Sequence, residues 1–177
     1  MRAKGTVRLG GTVAAFALAA LGVAAPQAQA AATGASVAPD CHGICVLGVR
    51  AATHPDFDRI VIDLGEGTIP TWTATESTEP LTCCADPEPQ IIPITGKTYL
   101  RIQVASAGTF DWNTSTSVYT SPRWEAYGFP SLKGQGLYGT NDPENRDFPL
   151  GLALGDHSSY KIFKLTSPNR IVVDINH

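Results

Sequence analysis

The side chains best placed to do chemistry in this chain are its four cysteines, Cys41, Cys45, Cys83 and Cys84. The run Cys41-His42-Gly43-Ile44-Cys45 invites a metal reading. Structural zinc sites use paired knuckles with short spacers, and adjacent Cys83-Cys84 do not form one. Haem attachment needs a His directly after the second Cys, and Val46 stands there. An even number of cysteines in an exported chain points instead to two disulfides. A Cys83–Cys84 bridge would close a strained ring on neighbouring residues. The expectation is therefore that Cys41 and Cys45 each join one of Cys83 and Cys84. Each such bridge would close a loop of about 40 residues, worth about 4 kcal/mol in the chain-entropy view.

Little else is arranged for catalysis. No Gly-x-Ser-x-Gly elbow, His-Glu-x-x-His pair or glycine-rich phosphate loop occurs. His42, His54, His157 and His177 are scattered beside turn residues and read as surface or turn histidines. Asp111, Glu125 and Asp147 are the acids a glycosidase would pair, but nothing in their spacing sets them face to face, and they read as solvated loop acids. Asn141 to Asp147 is rich in oxygen ligands yet lacks the calcium-loop pattern with its central Gly and terminal Glu. No metal, cofactor or catalytic residue is expected. Among the aromatics, Trp112 sits in a polar stretch beside Asp111, Asn113 and Thr114. An exposed ring there would offer sugars a flat stacking face, which makes Trp112 the candidate ligand-binding residue. Trp124, in a strand-like run, reads as core, and Trp72 is ambiguous.

The elements that would position these residues are strands. Ile60, Ile62 and Leu64 alternate with Arg59, Val61 and Asp63, and Leu100, Ile102 and Val104 alternate in the same way. Further short runs lie at 45–51, 71–75, 123–129, 150–154, 160–165 and 170–175. Acid- and Pro-rich residues 76–90, polar residues 105–122 and residues 139–149 read as loops. Seven or eight strands with no helical stripe predict an all-β, two-sheet β-sandwich, with negligible helix after the first thirty residues.

Those thirty residues have the form of a signal peptide. Arg2, Lys4 and Arg8 precede an apolar run from Val13 to Ala25, and Ala28-Gln29-Ala30 supplies small residues for cleavage after Ala30, with Ala32 as the nearby alternative. The run is shorter than the roughly 20 residues of a membrane span, so no stable span is expected. The expected organisation is a signal peptide over 1–30, a flexible lead-in over 31–43 and one domain over 44–177. The chain holds 13 basic and 16 acidic residues, and the first thirty carry three of the basic ones and no acid. The remainder then has 10 against 16, a net charge of −6, with no basic cluster, which argues against nucleic acid as a partner.

Asn169-Arg170-Ile171-Val172-Val173-Asp174 echoes Asp58-Arg59-Ile60-Val61-Ile62-Asp63. The second of these, preceded by His54-Pro55-Asp56-Phe57 and by Val46-Leu47-Gly48-Val49-Arg50, resembles the opening hairpin of AMIN and AMIN-like domains. The closing segment from Tyr160 to Ile175, with Asn176-His177, resembles the end of the secreted actinobacterial AMIN-like branch. The likeness covers roughly residues 46–177 and is weakest over 105–149. The four cysteines and the acidic loop 76–90 are not part of the usual motif. The resemblance implies a secreted, non-catalytic cell-envelope module with a β-sandwich fold, associating with peptidoglycan or another cell-wall glycan. The alternative is a secreted protein-interaction module without wall affinity, binding an envelope protein by strand addition at a sheet edge.

Overall fold

The alternating runs form strands that bury one face each. The computed structural model describes residues 37–84, 88–139 and 146–177; the expected signal peptide over 1–30, residues 31–36, residues 85–87 of the acidic loop and most of the Asn141–Asp147 stretch lie outside the described residues. In chain order the strands are β1 (Ile44–Thr53), β2 (Phe57–Leu64), β3 (Trp72–Ser77), β4 (Thr82–Cys83), β5 (Gln90–Ile91), β6 (Thr98–Val104) and β7 (Ala107–Gly108). They continue with β8 (Phe110–Asp111), β9 (Thr116–Ser117), β10 (Trp124–Ala126), β11 (Leu132–Leu137), β12 (Phe148–Leu154), β13 (Ser159–Leu165) and β14 (Arg170–Asn176). No helix occurs among the described residues, and so none is long and apolar enough to cross a membrane.

Two five-stranded sheets carry the fold. The first runs β13-β14-β2-β1-β7 and the second β10-β11-β12-β6-β3. Their inner faces meet in one core that contains Ile60, Ile62, Ile171, Val173 and Ile175 from the first sheet, and Leu100, Ile102, Leu150, Leu152 and Leu154 from the second, all fully buried. Burying each such side chain stabilises the sandwich by about 1.5–3 kcal/mol. The all-β, two-sheet sandwich is thus the architecture. The inward faces of β2 and β6 are those that their alternation predicts.

The sequence echo has a pairing behind it. β2 and β14 are antiparallel neighbours in one sheet, with Arg59 opposite Asp174 and Asp63 opposite Arg170. An Arg-to-Asp strand laid antiparallel on another of the same kind brings opposite charges together at both ends. The Arg59 guanidinium donates to both Asp174 oxygens, at 2.6 and 2.7 Å, and lies 4.9 Å from the centre of the Phe57 ring. Asp63 accepts instead from Arg50 on β1, at 2.8 Å.

Asp58 joins the two sheets. Its side chain is fully buried, and its Oδ2 accepts from the backbone N–H of Ser131 (2.7 Å) and of Leu132 (2.8 Å) at the start of β11. Its Oδ1 has no aligned hydrogen bond, although His177 Nε2 is 3.2 Å away. Burial pushes the Asp58 carboxyl up, but the nearby Thr53 side chain, the bonds from the Leu132 and Ser131 amides and the neighbouring His177 ring together outweigh it, and the group lies below its ordinary value.

β11 is a strand that the sequence pattern conceals, because Gly134 and Gly136 interrupt it. The glycines serve the outer face of the second sheet. Residues 78–84 and 88–95 pass over that face as a strap, and bury Leu81, Ile92 and Ile94 against Tyr99 and Ala153 in a second small core. A Cβ on Gly151 would stand 2.3 Å from Leu81 Cδ1, and on Gly136 it would stand 2.9 Å from Ile92 Cγ2. Only a side-chain-free sheet lets the strap approach this closely.

Candidate functional site

Beside the strap, the outer face of the second sheet forms an open groove of about 600 Å³. Thr71, Thr73 and Thr75 line it from the β3 side, Arg101 and Gln103 from β6, and Tyr138 and Asp147 close it. The pairing register sets Thr73 opposite Gln103 and Thr75 opposite Arg101. Because side chains two apart along a strand share a face, these polar pairs repeat every 6–7 Å or so. The wall is braced by hydrogen bonds. Tyr138 Oη donates to Gln103 Oε1 at 3.2 Å, and Gln103 Nε2 donates to Asp147 Oδ2 at 3.2 Å. Arg101 donates to Ser77 Oγ and to the carbonyls of Glu79 (2.9 Å) and Pro80 (3.0 Å), so one side chain lines the groove and anchors the strap. Burial raises the Tyr138 phenol, which stays a neutral hydroxyl. The groove offers hydroxyl, amide, guanidinium and carboxylate groups in a row, suited to holding a polar extended ligand.

The cysteines differ from expectation. Cys41 bonds to Cys45, with Cα atoms 5.2 Å apart, and Cys83 and Cys84 remain thiols. The expected bridges between the two pairs are overturned for a geometric reason. The first pair closes a tight turn on itself and is buried against Gly108, whereas the second sits on the strap over the opposite sheet.

Trp112 is half-buried. Its ring stacks on His42, with centroids 4.9 Å apart and planes 11° from parallel, and meets the Phe110 ring edge-on at 5.1 Å. Asp111 builds this corner. It is buried, and accepts from the Asp40 amide, the Asn113 amide and the Thr114 hydroxyl, while Trp112 N–H donates to Asp40 O at 2.8 Å. The Thr114 hydroxyl bond and then the Asp40 amide hold the Asp111 carboxyl below its ordinary value. Residues 40–43 of the lead-in are thereby tied to the domain. Trp124, read as core, is instead 48% exposed on the outer face of edge strand β10; Trp72 packs partly against the core.

The three glycosidase-type acids are each engaged locally: Asp111 as above, Glu125 with Tyr127 Oη at 3.1 Å, and Asp147 with Gln103 and the Ser106 amide. The histidines also have neighbours. His54 stacks on Phe57, His157 Nε2 lies 3.4 Å from Glu76, and His42 and His177 sit on Trp112 and beside Asp58. No metal-binding cluster of His, Cys, Asp or Glu occurs among the described residues. Apart from Asp147, which the sequence singles out only as a glycosidase-type acid, the polar groove residues are those that sequence reasoning missed. The spacing of Thr71, Thr73 and Thr75, and of Arg101 and Gln103, marks two outward faces; that these faces adjoin depends on β3 pairing with β6.

The family model for the AMIN-like domain matches residues 45–177, which takes in both sheets, the strap and the groove. The chain belongs to the AMIN-like domain family. No curated protein and no solved structure matches it. AMIN-like domains are cell-envelope modules, generally non-catalytic, and as a family they are associated with peptidoglycan binding. In this AMIN-like domain the segments that carry the resemblance form two antiparallel hairpins, β1 with β2 and β13 with β14.

Proposed function

We propose that this AMIN-like protein is an exported, non-catalytic module that holds a cell-wall polymer, peptidoglycan above all, along the groove on its second sheet. The observation that carries this reading is the polar row itself: Thr73 with Gln103 and Thr75 with Arg101, along an open groove on the outer face of the sheet. Sugar hydroxyls and peptide amides need such alternating donors and acceptors. The signal-like first thirty residues and the family's envelope role support export. Trp112 is a second contact candidate, through whatever part of its ring His42 leaves open. The protein-interaction alternative, by strand addition, is less favoured at β13, where Lys161 and Lys164 are the kind of side chains that protect an edge from pairing.

Sedimentation with purified sacculi tests the proposal. The protein is expected to pellet with them. The double variant Thr73→Ala/Thr75→Ala should weaken binding by roughly 5- to 160-fold, from two lost hydrogen bonds of about 0.5–1.5 kcal/mol each. Both threonines are exposed, so melting should not move. Full binding by that variant, with loss in Trp112→Ala at unchanged stability, would transfer the site to the His42–Trp112 corner. No pelleting of the wild type would remove the wall reading.

A further inference from the structure

We propose that Cys83 and Cys84 form a vicinal disulfide, made and broken by thiol–disulfide exchange, that changes how the strap docks on the groove's Tyr138 wall. The Cys41–Cys45 bond leaves these two cysteines as each other's remaining intrachain partner. In a continuing strand, adjacent side chains point to opposite faces. Here β4 ends at Cys83, and Cys84 takes φ 59°, which breaks that alternation. Both residues are partly exposed, so an exchange partner can reach them.

The pair is wired to the groove through backbone. Cys84 N–H donates to Gly139 O at 2.9 Å, and Gly139 N–H donates back to Thr82 O at 2.9 Å. Gly139 follows Tyr138, whose hydroxyl holds Gln103 in the groove. Closing the eight-membered ring requires the Cys83–Cys84 peptide to turn, and the Cys84 amide is one of its atoms. The docking bond to Gly139 therefore responds to the redox state of the pair.

The oxidant is a disulfide of the thiol–disulfide oxidoreductase or small-molecule class. One thiolate of the pair attacks a sulfur of that disulfide, forming a mixed disulfide and expelling one thiolate of the oxidant. The second cysteine, deprotonated, attacks the protein sulfur of the mixed disulfide, closes the Cys83–Cys84 bond and expels the oxidant's remaining thiolate. Two electrons pass from the pair to the oxidant, and the two protons the cysteines lose appear on its thiols. Neighbouring Cα atoms stand about 3.8 Å apart across a trans peptide, under the roughly 4.4–6.8 Å that disulfides favour. Strained, accessible bonds of this kind are the easily reduced ones. The buried Cys41–Cys45 pair, with its Cα atoms 5.2 Å apart, has no such mismatch.

The test uses the purified protein equilibrated with oxidised glutathione, then alkylated after denaturation and mapped by mass spectrometry. The expected peptide contains Cys83 and Cys84, unalkylated, without an attached partner, and lighter by the two lost hydrogens. Mild dithiothreitol under native conditions should free these two thiols and leave Cys41–Cys45 closed. Alkylation of both Cys83 and Cys84 after oxidation, a persistent glutathione adduct, or a cross-link to Cys41 or Cys45 would overturn the bond. Amide hydrogen exchange tests the docking independently of any wall polymer. Exchange at Cys84 and Gly139 should change severalfold between the two states, and not at all in Cys83→Ser/Cys84→Ser; identical exchange in both wild-type states would overturn the coupling. Any effect on polymer binding rests on the groove reading above, and failure of the protein to bind sacculi would leave the mass and exchange results to decide the bond.

Discussion

Replacing Asp58 by Ala should unfold the sandwich more readily than any other single carboxylate deletion. The side chain is fully buried and supplies the acceptor for two amides at Ser131 and Leu132, residues themselves 1% and 0% exposed. Each donor left without a partner in such a place costs about 1–3 kcal/mol. Partial relaxation around the vacated space sets the expected loss for Asp58→Ala at about 3–5 kcal/mol. Asp58→Asn keeps a carbonyl oxygen for both amides and loses only charge assistance, so about 1–2 kcal/mol is expected. Urea unfolding at pH 7 measures both, with an unchanged m-value certifying a pure stability effect. The carboxyl lies below its ordinary value in the folded state. Its contribution is therefore fully present above the unfolded value near 3.9 and is lost as the pH falls through the lower, folded value. The wild-type advantage over Asp58→Ala should hold constant from pH 7 to about 5 and shrink below about 4. An Ala variant within about 0.5 kcal/mol of wild type, or an Asn variant as damaged as the Ala one, would refute the clamp.

Gly151→Ala should destabilise by about 1–3 kcal/mol, since its methyl would meet Leu81 Cδ1 at 2.3 Å. Combining it with Leu81→Ala should cost less than the sum of the two, and simple additivity in urea unfolding would contradict the close approach of the strap. A double-mutant cycle on Arg59→Ala and Asp174→Ala should give a coupling of about 1 kcal/mol, because the pair is bidentate and partly buried; zero coupling would show the ladder to be ornamental.

Much of the fold is legible in the sequence because β2 and β6 alternate with a period of two, and that period says which of their residues face the core. The hidden strand, β11, has glycine where a strand former is expected, since its outer face is occupied by the strap's Ile92 and Ile94. Local pattern cannot register a constraint imposed by a segment some forty residues away. The disulfide pairing failed on the same ground: spacing does not say that Cys41 and Cys45 lie in one tight turn. Asp58 looked like part of a strand motif, and only its position opposite the β11 amides makes it a clamp. For the groove, the outward sides of β3 and β6 were visible singly, but not their adjacency.

The order β13-β14-β2-β1 in the first sheet has a kinetic consequence. β14 lies between β13 and β2, and its Asp174 meets Arg59 across a separation of 115 residues. The first sheet can therefore join its two hairpins only after nearly all of the chain is available, and the loop-closure entropy falls due before the core repays it. Topologies dominated by such distant pairings fold in milliseconds to seconds or so, not microseconds. A chain emerging from the ribosome stays without its central β2–β14 seam until the final segment is free. Until then β2 has only β1 beside it in the first sheet, and the β13–β14 hairpin acts as the fastener that completes that sheet.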